Sequence, residues 1–221
     1  MSRVFDSVLE GLRKDMLRMA GRAEAILEKA LRAVWERDAS LVDEVARDDL
    51  EIDRLDVAID AAVLKALALQ APVAEDLREV LAIKMIASDL ERVGDLARNI
   101  AKSAGRLAAR SPFSPPAALA SLARAAQRVL RQAVDAFSRT DAALARSVLE
   151  ADDAIDDVQD EVVRSMLGQL ETQPDAASQE VDIIMVAKNL ERVADHATNI
   201  AEDVILVAEA RNVKHADKLR P

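Results

Sequence analysis

The sequence predicts an all-α protein: two tandem, pseudo-symmetric three-helix bundles built from six long antiparallel helices. Three observations carry this expectation. Half of the chain is apolar (51%), enough to bury a core in 221 residues, yet it holds only five Gly, six Pro, three Phe, one Trp and no Tyr. Such a composition is poor material for strands and tight turns. Apolar residues recur at alternating steps of three and four, the spacing of a helical stripe. A stretch near residue 90 returns near residue 190.

Breakers divide the chain into segments running roughly 3 to 37, 40 to 69, 75 to 109, 117 to 139, 142 to 171 and 177 to 211. The first ends at Arg37-Asp38-Ala39-Ser40 and the second at Gln70-Ala71-Pro72. The third runs into Ser111-Pro112-Phe113-Ser114-Pro115-Pro116, which cannot continue a helix. That run reads as a Pro-rich linker, 111–116, between a first bundle at 1–110 and a second at 117–221. The fourth segment stops at Arg139-Thr140-Asp141 and the fifth at Gln173-Pro174-Asp175, while the sixth runs into a polar tail. Each weaker interruption supplies a cap-type residue before the next periodic run. Long helices joined by short turns pack antiparallel.

The third and sixth segments show the pattern best. Ile83, Ile86, Leu90, Val93, Ala97, Ile100, Ala104 and Leu107 lie on one stripe, and Ile183, Val186, Leu190, Val193, Ala197, Ile200, Val204 and Val207 repeat it at the same phase. Leu90-Glu-Arg-Val-Gly-Asp-Leu-Ala-Arg-Asn-Ile-Ala101 overlays Leu190-Glu-Arg-Val-Ala-Asp-His-Ala-Thr-Asn-Ile-Ala201 with nine of twelve positions identical. Upstream, Asp49-x-x-Ile52-Asp53 overlays Asp152-x-x-Ile155-Asp156 at an offset of 103, so a three-residue change in one turn separates the copies. Each half is then a unit of about 100 residues, large enough to fold as a bundle.

Forty Asp and Glu against thirty Lys and Arg give a formal charge of -10, which argues against a nucleic-acid partner. With no Cys, disulfides, zinc–thiolate sites, iron–sulfur clusters and cysteine nucleophiles are excluded together. Apolar runs such as Ile183 to Ala187 are far shorter than the roughly 20 residues a membrane span needs. The first residues carry Arg3, Asp6, Glu10, Arg13, Lys14 and Asp15 where a signal peptide has an apolar stretch, so a cytoplasmic location is expected.

The residues able to carry chemistry are acids in rows. Glu91, Asp95 and Asn99, and again Glu191, Asp195 and Asn199, fall at i, i+4, i+8 along one helix face. Asp49, Asp53, Asp56 and Asp60 make a second row, copied by Asp152, Asp156 and Asp160 with Gln159 opposite Asp56. Like charges at i, i+4 cost a helix a few tenths of a kcal/mol each, which a cation bridging two rows would reverse. An all-oxygen set suits Fe(III), Mn(II), Mg(II) or Ca(II), and bridging carboxylates permit a multinuclear cluster. Forty acids in 221 residues also produce such pairs by accident, so a plain solvated face stands beside the metal reading. Counted from the centre of the apolar seam, Glu91 and Asp95 fall toward the outside, which places any such patch at the exposed surface.

His196 is rotated ~100° from Asp195 and corresponds to Leu96, which reads as incidental rather than a ligand. His215 lies in the polar tail, and no Glu-x-x-His motif, glycine-rich phosphate loop or Gly-x-Ser-x-Gly elbow occurs. No enzyme is expected; a carboxylate-rich metal-dependent enzyme remains the rival of a different class. Trp35, Phe5, Phe137 and the Met residues read as core or helix-end packing, with Met16 and Met19 also open to an exposed contact role.

These motifs resemble the PhoU family of bacterial phosphate-uptake regulators. The resemblance rests on Leu90-Glu-Arg-Val-Gly-Asp95 with Asn99-Ile-Ala, its copy Leu190-Glu-Arg-Val-Ala-Asp195-His with Asn199-Ile-Ala-Glu202, both Asp-x-x-Ile-Asp segments, and Ala74-Glu-Asp-Leu-Arg78. Phe5-Asp-Ser-Val-Leu-Glu-Gly-Leu-Arg13 and Asn212-Val-Lys-His215 extend it to both ends. The turn Ala74 to Arg78 has no clear copy, Ala176-Ala-Ser-Gln-Glu-Val standing there instead. The resemblance implies a non-catalytic regulator that restrains phosphate import and the phosphate regulon. Its implied partners are the ATPase subunit of the phosphate ABC transporter and a phosphate sensor histidine kinase, with the inner membrane reached only through them, and a second copy in a homodimer. It also implies multinuclear metal clusters on the surface, iron first and Mn, Mg, Zn or Ca as alternatives. Carried over by position, the ligands are Asp49, Asp53, Glu91, Asp95 and Asn99 in one half and Asp152, Asp156, Glu191, Asp195 and Asn199 in the other.

Overall fold

The computed structural model describes residues 3–111, 114–172 and 177–214. Helices α1 (Arg3–Glu36), α2 (Ser40–Gln70) and α3 (Ala74–Ala108) form the first bundle. Helices α4 (Ala117–Arg139), α5 (Ala142–Leu149), α6 (Asp152–Thr172) and α7 (Ala177–Glu209) form the second. The architecture is the expected all-α pair of three-helix bundles, with no strand among the described residues. Of the linker, Pro112 and Phe113 lie outside the described residues, as do the turn at Gln173 to Asp175 and His215.

One feature departs from the expected six. The fifth segment is broken at 150–151, where the Ala151 N–H reaches back only three residues, to the Val148 carbonyl at 3.1 Å. This tighter turn ends α5 and starts α6, and both pieces pack on α4 and α7. The matching stretch of the first repeat is uninterrupted α2.

Helices end where capping groups are available. The Asp141 carboxylate accepts from Ala143 N (2.9 Å) and Leu144 N (3.0 Å), satisfying two free donors at the start of α5. Asp141→Ala is expected to lose about 1 kcal/mol in urea unfolding. The C-terminal turns use left-handed residues without glycine: Arg37 (φ 55), Ala71 (φ 44) and Thr140 (φ 51). Arg37 in addition sends its guanidinium to the far end of α3, donating to the carbonyls of Leu107 (2.7 Å) and Arg110 (2.6 Å). It thereby adds a donor to the Leu107 carbonyl, which the Arg110 N–H also reaches at 3.2 Å, and supplies one to the Arg110 carbonyl just past the helix end.

The stripes predicted on the third and sixth segments are buried along their length. α3 and α7 lie antiparallel against each other at the centre of the molecule, with α1 against α4 beside them. A single apolar core therefore runs through both repeats. Met16 and Met19 are fully buried in it, so the exposed contact role is ruled out for them; Phe5 and Phe137 are buried too, whereas Trp35 is 40% exposed. Among the described residues no helix is long and apolar enough to cross a membrane.

Candidate metal centre: two acidic faces

In the first repeat, α2 and α3 approach most closely at Gly94. A Cβ there would lie 2.9 Å from Oδ1 of Asp49 and 3.2 Å from Cδ1 of Ile52, so the approach requires glycine. The approach buries Asp49, 1% exposed, between the helices. Burial pushes its carboxyl above the usual range; Arg98 pulls it down, and Asp53 and Asp95 push it further up. Glu91 is raised as well, first by burial, with Arg92 opposing and Asp95, Asp53 and Asp56 adding to it. The acids of the two helices thus act on one another across the groove.

Side-chain cations already occupy this face. Arg98 Nη1 lies 2.7 Å from Oδ2 of Asp49 and its Nη2 2.5 Å from Oδ1 of Asp95, so one guanidinium clamps α2 to α3. Lys84 Nζ lies 2.5 Å from Asp60 and 3.6 Å from Asp56. Arg92 adds contacts of 3.4 Å to Glu91 and 3.3 Å to Asp95.

The second repeat is built on the same plan but keeps only Arg192, the copy of Arg92, among those cations. Ala194 replaces Gly94, Thr198 replaces Arg98 and Ile184 replaces Lys84. Asp152, the copy of Asp49, is only half-buried and meets the Thr198 hydroxyl at 3.2 Å. Among the described residues no Lys or Arg lies within ion-pair distance of Asp152, Asp156, Asp160, Glu191 or Asp195. Burial, followed by Asp152, Asp153, Asp160 and Asp157, raises Asp156. Glu191 is raised by burial, Asp195 and Asp156, and Asp195 by burial, Asp152 and Asp156, with Arg192 opposing both more weakly. The contacts that Arg98 and Lys84 make with the acids of the first repeat have no copy here, and Arg192 acts on these carboxylates only from beyond ion-pair distance.

The carboxylates of each face are neighbours, but among the described residues no three acids or histidines are gathered closely enough to hold an ion as they stand. Glu91, Asp95 and Glu191 are half-buried, less exposed than the helical count placed them, because α2 and α6 cover one side, whereas Asp156 and Asp195 are exposed. The two Asn residues diverge. Asn99 is exposed, whereas Asn199 turns to the other repeat and donates to Asp89 at 3.3 Å.

That contact belongs to a set the sequence did not disclose. His196 Nδ1 also meets Asp89, at 2.7 Å, tying α7 to α3 rather than serving the acidic face. Toward the other end of the same helix pair, Arg106 Nε and Arg110 Nη1 donate to the buried Asp182 at 2.7 and 2.8 Å. The available signals are Leu96 against His196 and Arg98 against Thr198, two of the three positions at which the twelve-residue repeats differ.

A duplicated three-helix protein carrying one acidic face per copy defines the class. The PhoU domain model matches residues 16–104 and 119–204, and the chain belongs to the PhoU family. It is 36% identical over 203 residues to the phosphate-specific transport system accessory protein PhoU homolog of Xylella fastidiosa, covering 92% of this chain and 84% of that protein. The homolog of the same description from Pseudomonas aeruginosa is 33% identical over 217 residues, 97% of this chain and 89% of that protein. The crystal structure of PhoU from Pseudomonas aeruginosa superposes with a TM-score of 0.90 at 33% identity over 94% of this chain and all (100%) of that one. The phosphate transport system regulatory protein PhoU from Streptococcus pneumoniae gives 0.88 at 26% identity, over 95% of this chain and 99% of that one. Homologues of this description support a role in the regulation of phosphate transport.

Proposed function

We propose that this chain is a cytoplasmic, non-catalytic regulator that restrains phosphate uptake and the phosphate regulon. It acts as an adaptor between the ATPase subunit of a phosphate ABC transporter and a sensor histidine kinase, meeting the inner membrane only through them. The observation that carries the reading is the duplicated Leu-Glu-Arg-Val-x-Asp segment on α3 and α7, in a chain 33–36% identical to phosphate-transport accessory proteins over nearly its whole length. Deleting the gene is expected to raise phosphate uptake and phosphate-regulon expression in phosphate-replete medium, and plasmid-borne wild type to restore both. Unchanged uptake and expression would falsify the reading.

Metal binding at the acidic faces is a separable part of the proposal. The donors are all oxygen, and the carboxylates of the second repeat crowd together with no Lys or Arg within ion-pair distance among the described residues, which fits a hard multivalent cation. There Asp152, Asp156, Glu191 and Asp195 would hold it, and a bound cation would supply charge neutralisation and a cross-link between α6 and α7. In the first repeat Asp49 and Asp95 are already engaged by Arg98, which leaves Asp53 and Glu91 as the less committed donors. Protein purified without chelator is expected to carry iron or another hard metal, and an Asp53→Ala/Asp95→Ala/Asp156→Ala/Asp195→Ala variant to carry none. Equal metal content in both proteins would leave solvated faces alone.

A further inference from the structure

The far end of α3 meets the start of α7 at an open cleft of about 370 Å³, to which the two helices contribute unlike side chains. From α7 come Val181 and Met185, apolar and 50% and 44% exposed. From α3 come Arg106 and Arg110, both turned onto Asp182 of α7, whose side chain is only 5% exposed. Arg106 also donates to the hydroxyl of the buried Ser103 at 2.9 Å. The two guanidiniums are thereby held in place within the chain itself. Because they share one carboxylate, a positive charge is left over, in a chain whose net charge is -10. Among the described residues, Nη1 of Arg106 and Nε and Nη2 of Arg110 meet no acceptor.

The internal repeat shows that the fold does not demand this arrangement. One hundred residues apart in sequence, Arg106, Arg110 and Asp182 correspond to Leu206, Ala210 and Ala82, so the copy at the opposite end of the helix pair carries no charge at these positions. The apolar edge is present in both copies, since Leu81, the counterpart of Val181, is 42% exposed. A buried ion pair is often no more stable than the apolar packing that could replace it, and here the apolar alternative stands in the same molecule. Recognition therefore accounts for the charges better than stability does.

We infer that this cleft docks a segment of a partner protein in which a carboxylate stands beside a large apolar side chain. The carboxylate accepts from the free N–H groups of Arg106 and Arg110, a charge-assisted contact of the stronger kind. The apolar side chain lies on Val181 and Met185, where the flexible thioether adapts to its shape. Arginine next to a shallow apolar surface is the composition of an interface hot spot. The cleft is open to one side, which suits two adjacent side chains of a segment, whereas small-molecule sites enclose most of their ligand. The inference goes beyond the adaptor reading, which names partners and no surface, and it stands without it.

The test is selection of phage-displayed random twelve-residue peptides on the immobilised full chain. The selected peptides are expected to carry Asp or Glu next to Leu, Ile, Phe or Met. A synthetic copy of the most enriched one is then measured by fluorescence anisotropy. Arg110→Gln, which leaves Asp182 paired with Arg106, should weaken its binding at least tenfold, and Val181→Asp should do the same by setting a carboxylate against the incoming one. Leu81→Asp, the same change at the copy position, should leave binding within twofold of wild type, and circular dichroism should show all three variants as helical as wild type. No enrichment, or enrichment of peptides without acids, overturns the inference. Binding that survives Val181→Asp, or that Leu81→Asp weakens equally, overturns it too, by placing the segment elsewhere. None of these results bears on the gene-deletion experiment, which tests phosphate control separately.

Discussion

Replacing Arg98 by Met is expected to cost roughly 2–3 kcal/mol of folding stability, well beyond an ordinary surface substitution. Asp49 is 1% exposed, and besides Arg98 the charges acting on it are Asp53 and Asp95, which raise its carboxyl, and Lys102, which lowers it more weakly and makes no ion pair with it. Without the guanidinium, the carboxylate either stays buried and unpaired or takes up a proton against neutral pH. Breaking a fully buried pair costs about 3–5 kcal/mol, but the Arg98 side chain is 35% exposed and water screens part of the interaction, hence the lower figure. The double variant Arg98→Met/Asp49→Leu should recover most of the loss, since it removes the stranded charge along with its partner. Urea unfolding at pH 7 decides it: a loss below about 0.5 kcal/mol would show that the clamp contributes nothing.

The second large effect is a pH dependence at the end of α7. Asp203 is fully buried, and among the described residues it has one ion partner, Lys214 Nζ at 2.9 Å. Burial lifts its pKa from 3.8 to about 6, against the bond to Lys214 and with Asp89 and Glu202 adding to the rise. A carboxyl with a raised folded pKa binds more protons folded than unfolded between those two values. Its contribution to stability is therefore fully present below about pH 4 and is lost as pH climbs through 6. The loss amounts to roughly 3 kcal/mol at neutral pH, to order of magnitude. Asp203→Asn cannot ionise, and Lys214, 34% exposed, can turn to water once its partner is neutral. The stability of the variant relative to wild type is expected to improve by roughly 2–3 kcal/mol between pH 4 and pH 7. Parallel stability–pH curves for the two proteins would show that Asp203 does not titrate in this window.

Periodicity made most of the fold legible. The stripes at Ile83 to Leu107 and Ile183 to Val207 follow a helical period, and a helix that is apolar along one face must bury it, so the two central helices could be placed from spacing alone. The acidic rows were legible for the same reason, since i, i+4 spacing fixes a shared face whatever packs against it.

What stayed hidden depends on distances between helices. No residue type announces the break at Glu150-Ala151, which lies among good helix formers, and the left-handed turns at Arg37, Ala71 and Thr140 lack the glycine that would signal them. In the sequence Arg98 is no more than a mismatch in the repeat; its clamp depends on α2 approaching α3 at Gly94, which spacing along one helix cannot reveal. His196 and Asn199 acquire partners only because α7 lies against Asp89 of α3, a pairing between repeats that no pattern within one repeat encodes.

The interruption of the fifth segment has an electrostatic outcome of its own. Because α6 begins at Asp152, the carboxylates of Asp152 and Asp153 sit in a first turn, where unpaired peptide N–H groups present the positive pole of the helix macrodipole. Asp49, at the matching place, lies in mid-helix and has no such pole beside it. The two halves thus temper the same crowding of negative charge by different means, one with a guanidinium that a single codon change can delete, the other with main-chain dipoles that persist whatever side chain is substituted there.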